Sequence, residues 1–414
     1  QSGENLAKGM KMLAEDVARG KGELRLRQTD PGRFSVGENL AVTPGKVIAQ
    51  NDVCQIIQYT PTTETVAKEP LLIVPPWINK FYILDLNPEK SMIRWLVEQG
   101  HTVFVLSWVN PDERHAQKEF TNYMVEGIFF GVDTALKAAD AQTLDIVGYC
   151  VGGTLLAMTL AYMTRVGDTR INTATLLTAQ VDFAHAGDLK LFVDKDQLET
   201  LEAKMRAKGY LDGAKMASAF NMLRANDLIW PYVVNNYIRG KDPFPFDLLY
   251  WNSDSTRMPA ANHAFYLRNF YLENQFSAGK LMVNDLALSP ADITVPIFNV
   301  ATKDDHIAPA LSVYEGNKMF GGEARFILTG SGHIAGIVNP PSKNKYQVWS
   351  DGDSSRDLDH WIETATETPG SWWPLWHDWL TAHRSGEMVP GRTPGGTAFT
   401  AIEDAPGAYV RKRY

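Results

Sequence analysis

Asp145-Ile146-Val147-Gly148-Tyr149-Cys150-Val151-Gly152-Gly153-Thr154 decides the fold: a β-branched strand runs into Gly-x-Cys-x-Gly-Gly and then into an apolar, helix-compatible stretch at 155–162. A sharp strand-to-helix turn is strained, and Gly148 and Gly152 supply positions with no Cβ to strike neighbouring backbone. The pattern therefore puts Cys150 at the apex of the turn, its sulfur above a sheet and at the N-terminus of a helix. Helix amides aimed at that sulfur lower a thiol pKa from about 8.5 and stabilise an oxyanion. Val151 is thus expected to give the first oxyanion amide. A buried, inert thiol is the usual fate of a cysteine, and the flanking glycines argue against it here.

Outward from this turn, short β-branched runs recur at 53–59, 71–74, 102–108, 144–147 and 173–177, with helical stretches between them. The alternation predicts a mainly parallel sheet covered on both faces. The loop Pro75-Pro76-Trp77-Ile78-Asn79-Lys80 follows the second run, where such a fold draws its second oxyanion amide; the candidate lies near Trp77 or Ile78. From 182 to 287 the pattern gives way to aromatic, Asn- and Pro-rich sequence, and strand-like runs resume at 295–300 and 325–328. The predicted architecture is an α/β-hydrolase fold with a mainly parallel central sheet: core 1–181, an inserted cap 182–287, and a second core part with a C-terminal extension, 288–414.

A thiol nucleophile needs a base, which this type of fold supplies later in the chain, in the order nucleophile, acid, histidine. The two late strands end in Lys303-Asp304-Asp305-His306 and Thr329-Gly330-Ser331-Gly332-His333. Cys150, Asp305 and His333 follow that order, each at the carboxyl edge of a parallel strand, where open α/β sheets place their sites. Asp304 competes with Asp305 as the acid. His306 is a rival base, but its place beside the acid suits a substrate contact better. Most of the other histidines, 101, 115, 185, 263, 360, 377 and 383, are expected at the surface or as capping residues, and Cys54 reads as an ordinary strand residue.

Composition limits the alternatives. With 44% hydrophobic and 21% charged residues the chain can bury a large core. A net charge of -8, with Arg411, Lys412 and Arg413 the only basic cluster, argues against a nucleic-acid partner. Two cysteines make no disulfide framework and fit a reducing cytoplasm. No apolar run approaches a membrane span, and no metal-ligand spacing, phosphate loop or dinucleotide fingerprint is present, so the expected mechanism is covalent and free of cofactor and metal. The chain begins at Gln1, and upstream sequence is expected. Leu6, Met10, Leu13 and Val17 predict an amphipathic helix over 3–20 packed on the core. Trp372, Trp376, Trp379, Leu380 and His383 predict a core-facing helix stripe, and the Gly- and Pro-rich tail after Ser385 is expected to lie extended on the surface.

These residues closely resemble class I polyhydroxyalkanoate synthases, whose hallmark is a lipase-like box with Cys in place of Ser. The likeness covers nearly the whole chain, through the loop 75–86, the Gly148–Thr154 box and Gly332-His333-Ile334-Ala335-Gly336-Ile337-Val338-Asn339-Pro340-Pro341. It implies a homodimeric enzyme that polymerises (R)-3-hydroxyacyl-CoA, with short acyl groups such as 3-hydroxybutyryl, into a growing polyester at cytoplasmic storage granules, releasing CoA. It maps the family's catalytic Cys, Asp and His onto Cys150, Asp305 and His333, selecting Asp305 over Asp304 because the family's acid is followed by His-Ile. It further implies CoA or substrate contacts at Arg224, Asn274 and Trp251; for Arg224 the alternative is a solvated or capping arginine.

Overall fold

The strands that carry the site are continuous buried runs: Leu71–Val74, Leu144–Tyr149 and Ile297–Thr302 are buried at every position, as strands covered on both faces must be. In the computed structural model, which describes residues 3–414, these belong to one sheet of eleven strands. In chain order they are β1 (Gly45–Gln50), β2 (Cys54–Tyr59), β3 (Leu71–Val74), β4 (Val103–Trp108), β5 (Leu144–Tyr149), β6 (Ile171–Leu177), β7 (Ile297–Thr302), β8 (Ala324–Thr329), β9 (Gln347–Ser350), β10 (Thr366–Pro369) and β11 (Glu403–Asp404). Their order across the sheet is 10-9-8-7-6-5-3-4-2-1-11. The six strands from β4 to β8 are parallel, while β2, β1 and β11 on one side and β9 and β10 on the other are antiparallel. The α/β-hydrolase fold follows from this order, with β5 at the centre. Of the sheet, the sequence pattern missed β1 and β9 to β11.

Residues 182–287 add no strand to this sheet. They form short helices, two π-helical stretches (Val233–Ile238 and Leu267–Leu272) and small pairings such as Tyr210–Leu211 with Met258–Pro259. The tryptophan helix Trp373–Ala382 packs as the sequence predicts, and three indole N–H groups find partners, while that of Trp379 is buried without one: Trp372 and Trp373 donate to the Ile337 carbonyl at 3.1 and 2.9 Å, and Trp376 to the Thr175 hydroxyl at 2.8 Å. The tail after Ser385 is extended but not loose. Met388–Pro390 pairs with Thr65–Ala67, β11 pairs with β1, and Val410 is buried.

Helix α1 (Glu4–Arg19) forms where expected, yet its apolar stripe does not pack on the core. Leu6 and Met10 are exposed, and the buried positions are Gly9, Met12 and Asp16, one residue round the helix. Two features of the sequence override the stripe. Gly9 allows close approach to Val233–Ile238, since a Cβ there would lie 2.0 Å from the Tyr237 carbonyl oxygen. Asp16, fully buried, accepts from Tyr237 Oη at 2.7 Å, Arg19 Nη2 at 2.9 Å, and Arg27 Nε and backbone N at 2.9 and 3.1 Å. The expectation for the lesser histidines also needs correction, because His101, His115 and His263 are buried. His101 bridges His377 and Arg384, each at 2.9 Å, on an ion pair with buried Asp145.

The Asp16 hub is testable. Tyr237→Phe withdraws one donor from a buried carboxylate and is expected to destabilise the protein by about 1–3 kcal/mol, read from the denaturant midpoint. Gly9→Ala is expected to raise amide hydrogen exchange along α1 selectively, as the helix parts from Val233–Ile238.

Candidate active site

Cys150 links β5 to helix α2 (Val151–Val166) with φ 54° and ψ -128°, a left-handed backbone that puts its side chain at the turn's apex. The glycines are required by contact. A Cβ at Gly152 would lie 2.5 Å from the Pro75 carbonyl oxygen, and one at Gly148 would lie 2.6 Å from Gly153 Cα. Helix α2 thus presses against the end of β3, bringing the loop 75–80 beside the Cys150 turn. The Val151 amide is the first of its helix and has no intrahelical acceptor.

Asp305 follows β7 and His333 follows β8, so both stand at the carboxyl edge of strands next but one and beyond to β5. His333 Nδ1 lies 2.6 Å from Asp305 Oδ2. The same carboxylate accepts from Thr302 Oγ1 at 3.1 Å and, through Oδ1, from the Ile307 and Ala308 amides at 2.8 and 2.9 Å. Every lone-pair direction of Asp305 is occupied, which fixes the imidazole's tilt; Asp304 is exposed and takes no part. Tyr149 completes the mount: its hydroxyl donates to the His333 carbonyl at 3.0 Å, and its ring stacks on the imidazole with centroids 5.8 Å apart.

Burial pushes the His333 imidazole down, but the Asp305 charge, then Cys150, then hydrogen bonds to both, hold it well above its ordinary value. For Asp305 burial pushes upward and is outweighed by His333 and the two amides, leaving it lowered. An imidazole whose proton affinity is raised between a carboxylate and a thiol is the arrangement that takes a thiol proton and holds it for a leaving group. Around it the wall is aromatic. Burial first, and the Cys150 charge next, keep the Tyr271 phenol protonated, and Tyr266 stands beside it with centroids 5.4 Å apart.

The remaining candidates fall at different distances from this centre. His306 is lowered, chiefly by burial, and its buried Nδ1 has no partner, which suits a ligand contact. Arg224 is half-exposed and paired with Asp227, yet close enough to His306 to depress its proton affinity. Asn274 is engaged within the protein: Nδ2 donates to Asp182 Oδ1 at 2.7 Å and Oδ1 accepts from the Phe183 amide at 2.9 Å. Trp251 is buried and donates to the Lys80 carbonyl at 2.8 Å, behind the loop that carries Ile78. Sequence reasoning missed Tyr149, Tyr266 and Tyr271. Only Tyr149 had a local signal, as the strand residue adjoining Cys150.

The family model described as "Poly-beta-hydroxybutyrate polymerase (PhaC) N-terminus" matches residues 1–96, and that described as "alpha/beta hydrolase fold" matches 69–340. The chain is 62% identical over 412 residues to the poly(3-hydroxyalkanoate) polymerase subunit PhaC of Rhizobium meliloti, covering 100% of this chain and 67% of that one. It is 58% identical over 414 residues to the poly(3-hydroxyalkanoate) polymerase of Methylorubrum extorquens, covering 100% and 68%. To the subunit PhaC of Cupriavidus necator it is 40% identical over 417 residues, covering 99% and 70%. It spans about two thirds of the length of these curated relatives.

The Asp305–His333 pair makes stability depend on pH from two sides. The raised His333 contributes fully below its unfolded value of about 6.5 and loses that contribution as pH rises through its folded value. The lowered Asp305 contributes above its unfolded value of about 3.9 and loses it as pH falls through the folded one. Asp305→Asn should therefore cost most between these limits, about 3 kcal/mol at pH 6. Denaturant unfolding at a series of pH values should show the gap to the parent protein closing on the alkaline side.

Proposed function

The chain belongs to the poly(3-hydroxyalkanoate) polymerase family of α/β-hydrolase fold, and on that premise we propose that Cys150, His333 and Asp305 polymerise (R)-3-hydroxyacyl-CoA through an acyl-cysteine. The observation that carries the reading is the Asp305–His333 pair held against a cysteine with left-handed backbone. His333 takes the Cys150 proton, and the thiolate attacks the thioester carbonyl. The Val151 and Ile78 amides stabilise the resulting oxyanion. Collapse breaks the bond from carbonyl carbon to CoA sulfur, and the proton on His333 leaves with CoA as its thiol. The acyl group is then on Cys150.

In the second half the hydroxyl of another 3-hydroxyacyl unit, or of the growing chain, attacks the acyl-cysteine, and its proton passes to His333. An oxygen ester forms, and the Cys150 thiol is regenerated. Exchange of one thioester for another is nearly balanced, so a cysteine keeps the acyl group activated for that attack. The full set of bonds on Asp305 supports its role in orienting His333 over one as base for the hydroxyl. His306 with its unpaired Nδ1 is positioned for substrate, and Arg224 with it for the CoA phosphates.

Water must lose to the hydroxyl at the acyl-enzyme. We assign residues 182–287 as the cap that excludes it, supported by the Phe183, Tyr266, Phe270 and Tyr271 ring cluster beside Cys150. Asn274, bonded to Asp182 and Phe183, acts there by holding the cap's ends together, and Trp251 by backing the oxyanion loop. No described helix is long and apolar enough to cross a membrane. Homodimer formation and attachment to storage granules in the cytoplasm belong to the same proposal; exposed Leu6, Met10, Trp230, Ile238 and Phe244 support an apolar contact surface.

Incubation with 3-hydroxybutyryl-CoA tests this reading. CoA thiol release with insoluble polyester is expected; release with free 3-hydroxybutyrate marks a hydrolase of the same fold, and no release a binding protein. Cys150→Ala is expected to lower release by about 10³-fold or more. Polymer made by that variant at the parent rate refutes the assignment.

A further inference from the structure

The loop that carries Ile78 is irregular, and its shape is set by groups behind it. Trp108 Nε1 donates to the Pro75 carbonyl at 2.7 Å and Trp251 Nε1 to the Lys80 carbonyl at 2.8 Å. The Thr256 hydroxyl donates to the Trp77 carbonyl and, at 3.0 Å, to the Ile78 carbonyl. Asn79 bridges Ser255 as an antiparallel pair. Residues 251–256 thus splint the loop along its length.

At the centre of that splint is one carboxylate. Asp254, buried, accepts from Tyr82 Oη at 2.9 Å and pairs with the buried Lys80 ammonium at 2.8 Å. A second cation reaches it from the last residues of the chain: Arg413 Nε lies 3.1 Å from Asp254 Oδ1, and its guanidinium also donates to the Tyr250 hydroxyl and lies over that ring at 4.8 Å. Lys80 in turn donates to the Lys412 carbonyl at 3.0 Å, so the tail both supplies a cation and satisfies the loop's own ammonium. The tail is fastened beyond this point as well, with Arg257 over the Tyr414 ring at 3.5 Å and Asn110 donating to the Lys412 carbonyl at 3.2 Å.

A buried ammonium has three N–H groups to satisfy and cannot leave one unpaired without cost. If the tail withdraws, Lys80 must move to find another acceptor, and Lys80 is two residues from Ile78. Oxyanion donors act only when held at the position where charge develops, and a misplacement of about 1 Å costs about 10²-fold in rate.

We infer that Arg413 is a positioning residue for acyl transfer: through Asp254 and Lys80 it fixes the 75–80 loop and hence the Ile78 amide at the oxyanion. This rests on the proposed role of Cys150 and Ile78 above. The test compares two reactions of the same thiol in the full chain. Acylation by 3-hydroxybutyryl-CoA develops an oxyanion, whereas alkylation by iodoacetamide is displacement at a saturated carbon and develops none. Cys54 is fully buried, so alkylation reports on Cys150. Arg413→Gln is expected to lower kcat for CoA release about 10-fold with KM nearly unchanged, leaving the alkylation rate at the parent value. Arg413→Lys is expected to restore most of the loss. Equal loss in both reactions, or loss in neither, overturns the inference; the dependence of the parent activity on Cys150 is measured separately, so failure of that premise shows as activity surviving Cys150→Ala.

Discussion

Cys150 occupies a backbone conformation that costs an L-residue about 1–3 kcal/mol, and contact is what keeps it there. Gly152 lies against the Val74 and Pro75 carbonyls and Gly153 against Gly148, so helix α2 cannot relax away from β3 and β5 without opening a gap in the packed centre of the sheet. The same contact fixes three things at once: the sulfur above the sheet edge, the free Val151 amide beneath it, and the 75–80 loop beside both. A methyl group at Gly152 would move all three. The rest of the site is arranged around this crowded turn.

The charge arrangement follows from where the parallel strands end. β7 and β8 deliver a carboxylate and an imidazole to the edge reached by β5, and burial makes their interaction strong enough to outweigh its own desolvation of His333. Tyr149 ends β5 directly before Cys150 and bonds to the His333 backbone, so sulfur and imidazole rest on one rigid support. Preorganisation of this kind suits the proposed acyl transfer, leaving little to rearrange when charge develops at a carbonyl oxygen.

The centre of this site was legible in the sequence because its signals are local. Gly-x-Cys-x-Gly-Gly after a strand specifies a turn, and His333 and Asp305 sit directly after strands of strong β pattern. Asp304 and Asp305 could not be separated by residue type, since both follow β7; the Thr302 hydroxyl and the Ile307 and Ala308 amides distinguish them, and that is a matter of turn geometry. The face of α1 was misread because periodicity weighs apolar groups and ignores what a glycine and a buried carboxylate can do together. β1 and β11 escaped for a related reason: one carries exposed Lys46 and Gln50 and the other is two residues long, and each is defined by its partner. The Lys80, Asp254 and Arg413 cluster joins three distant segments, so no window of sequence contains it.

That cluster bears on how a substrate could enter. The segment 182–287 is fastened at Asp182 and Phe183 through Asn274, at 251–256 through the 75–80 loop, and at Val233–Ile238 through α1. Swinging the whole segment would break these together and would carry the 75–80 loop with it, dismantling the candidate site in order to open it. Movement confined to 214–232 breaks none of the bonds at Asn274, 251–256 and Tyr237. Over that stretch no side chain is buried, in contrast to the clusters on either side, and few buried contacts mean low local stability. Arg224 lies within it. On the proposed function, entry by local movement there would leave the 75–80 loop fixed while the cation beside His306 shifts.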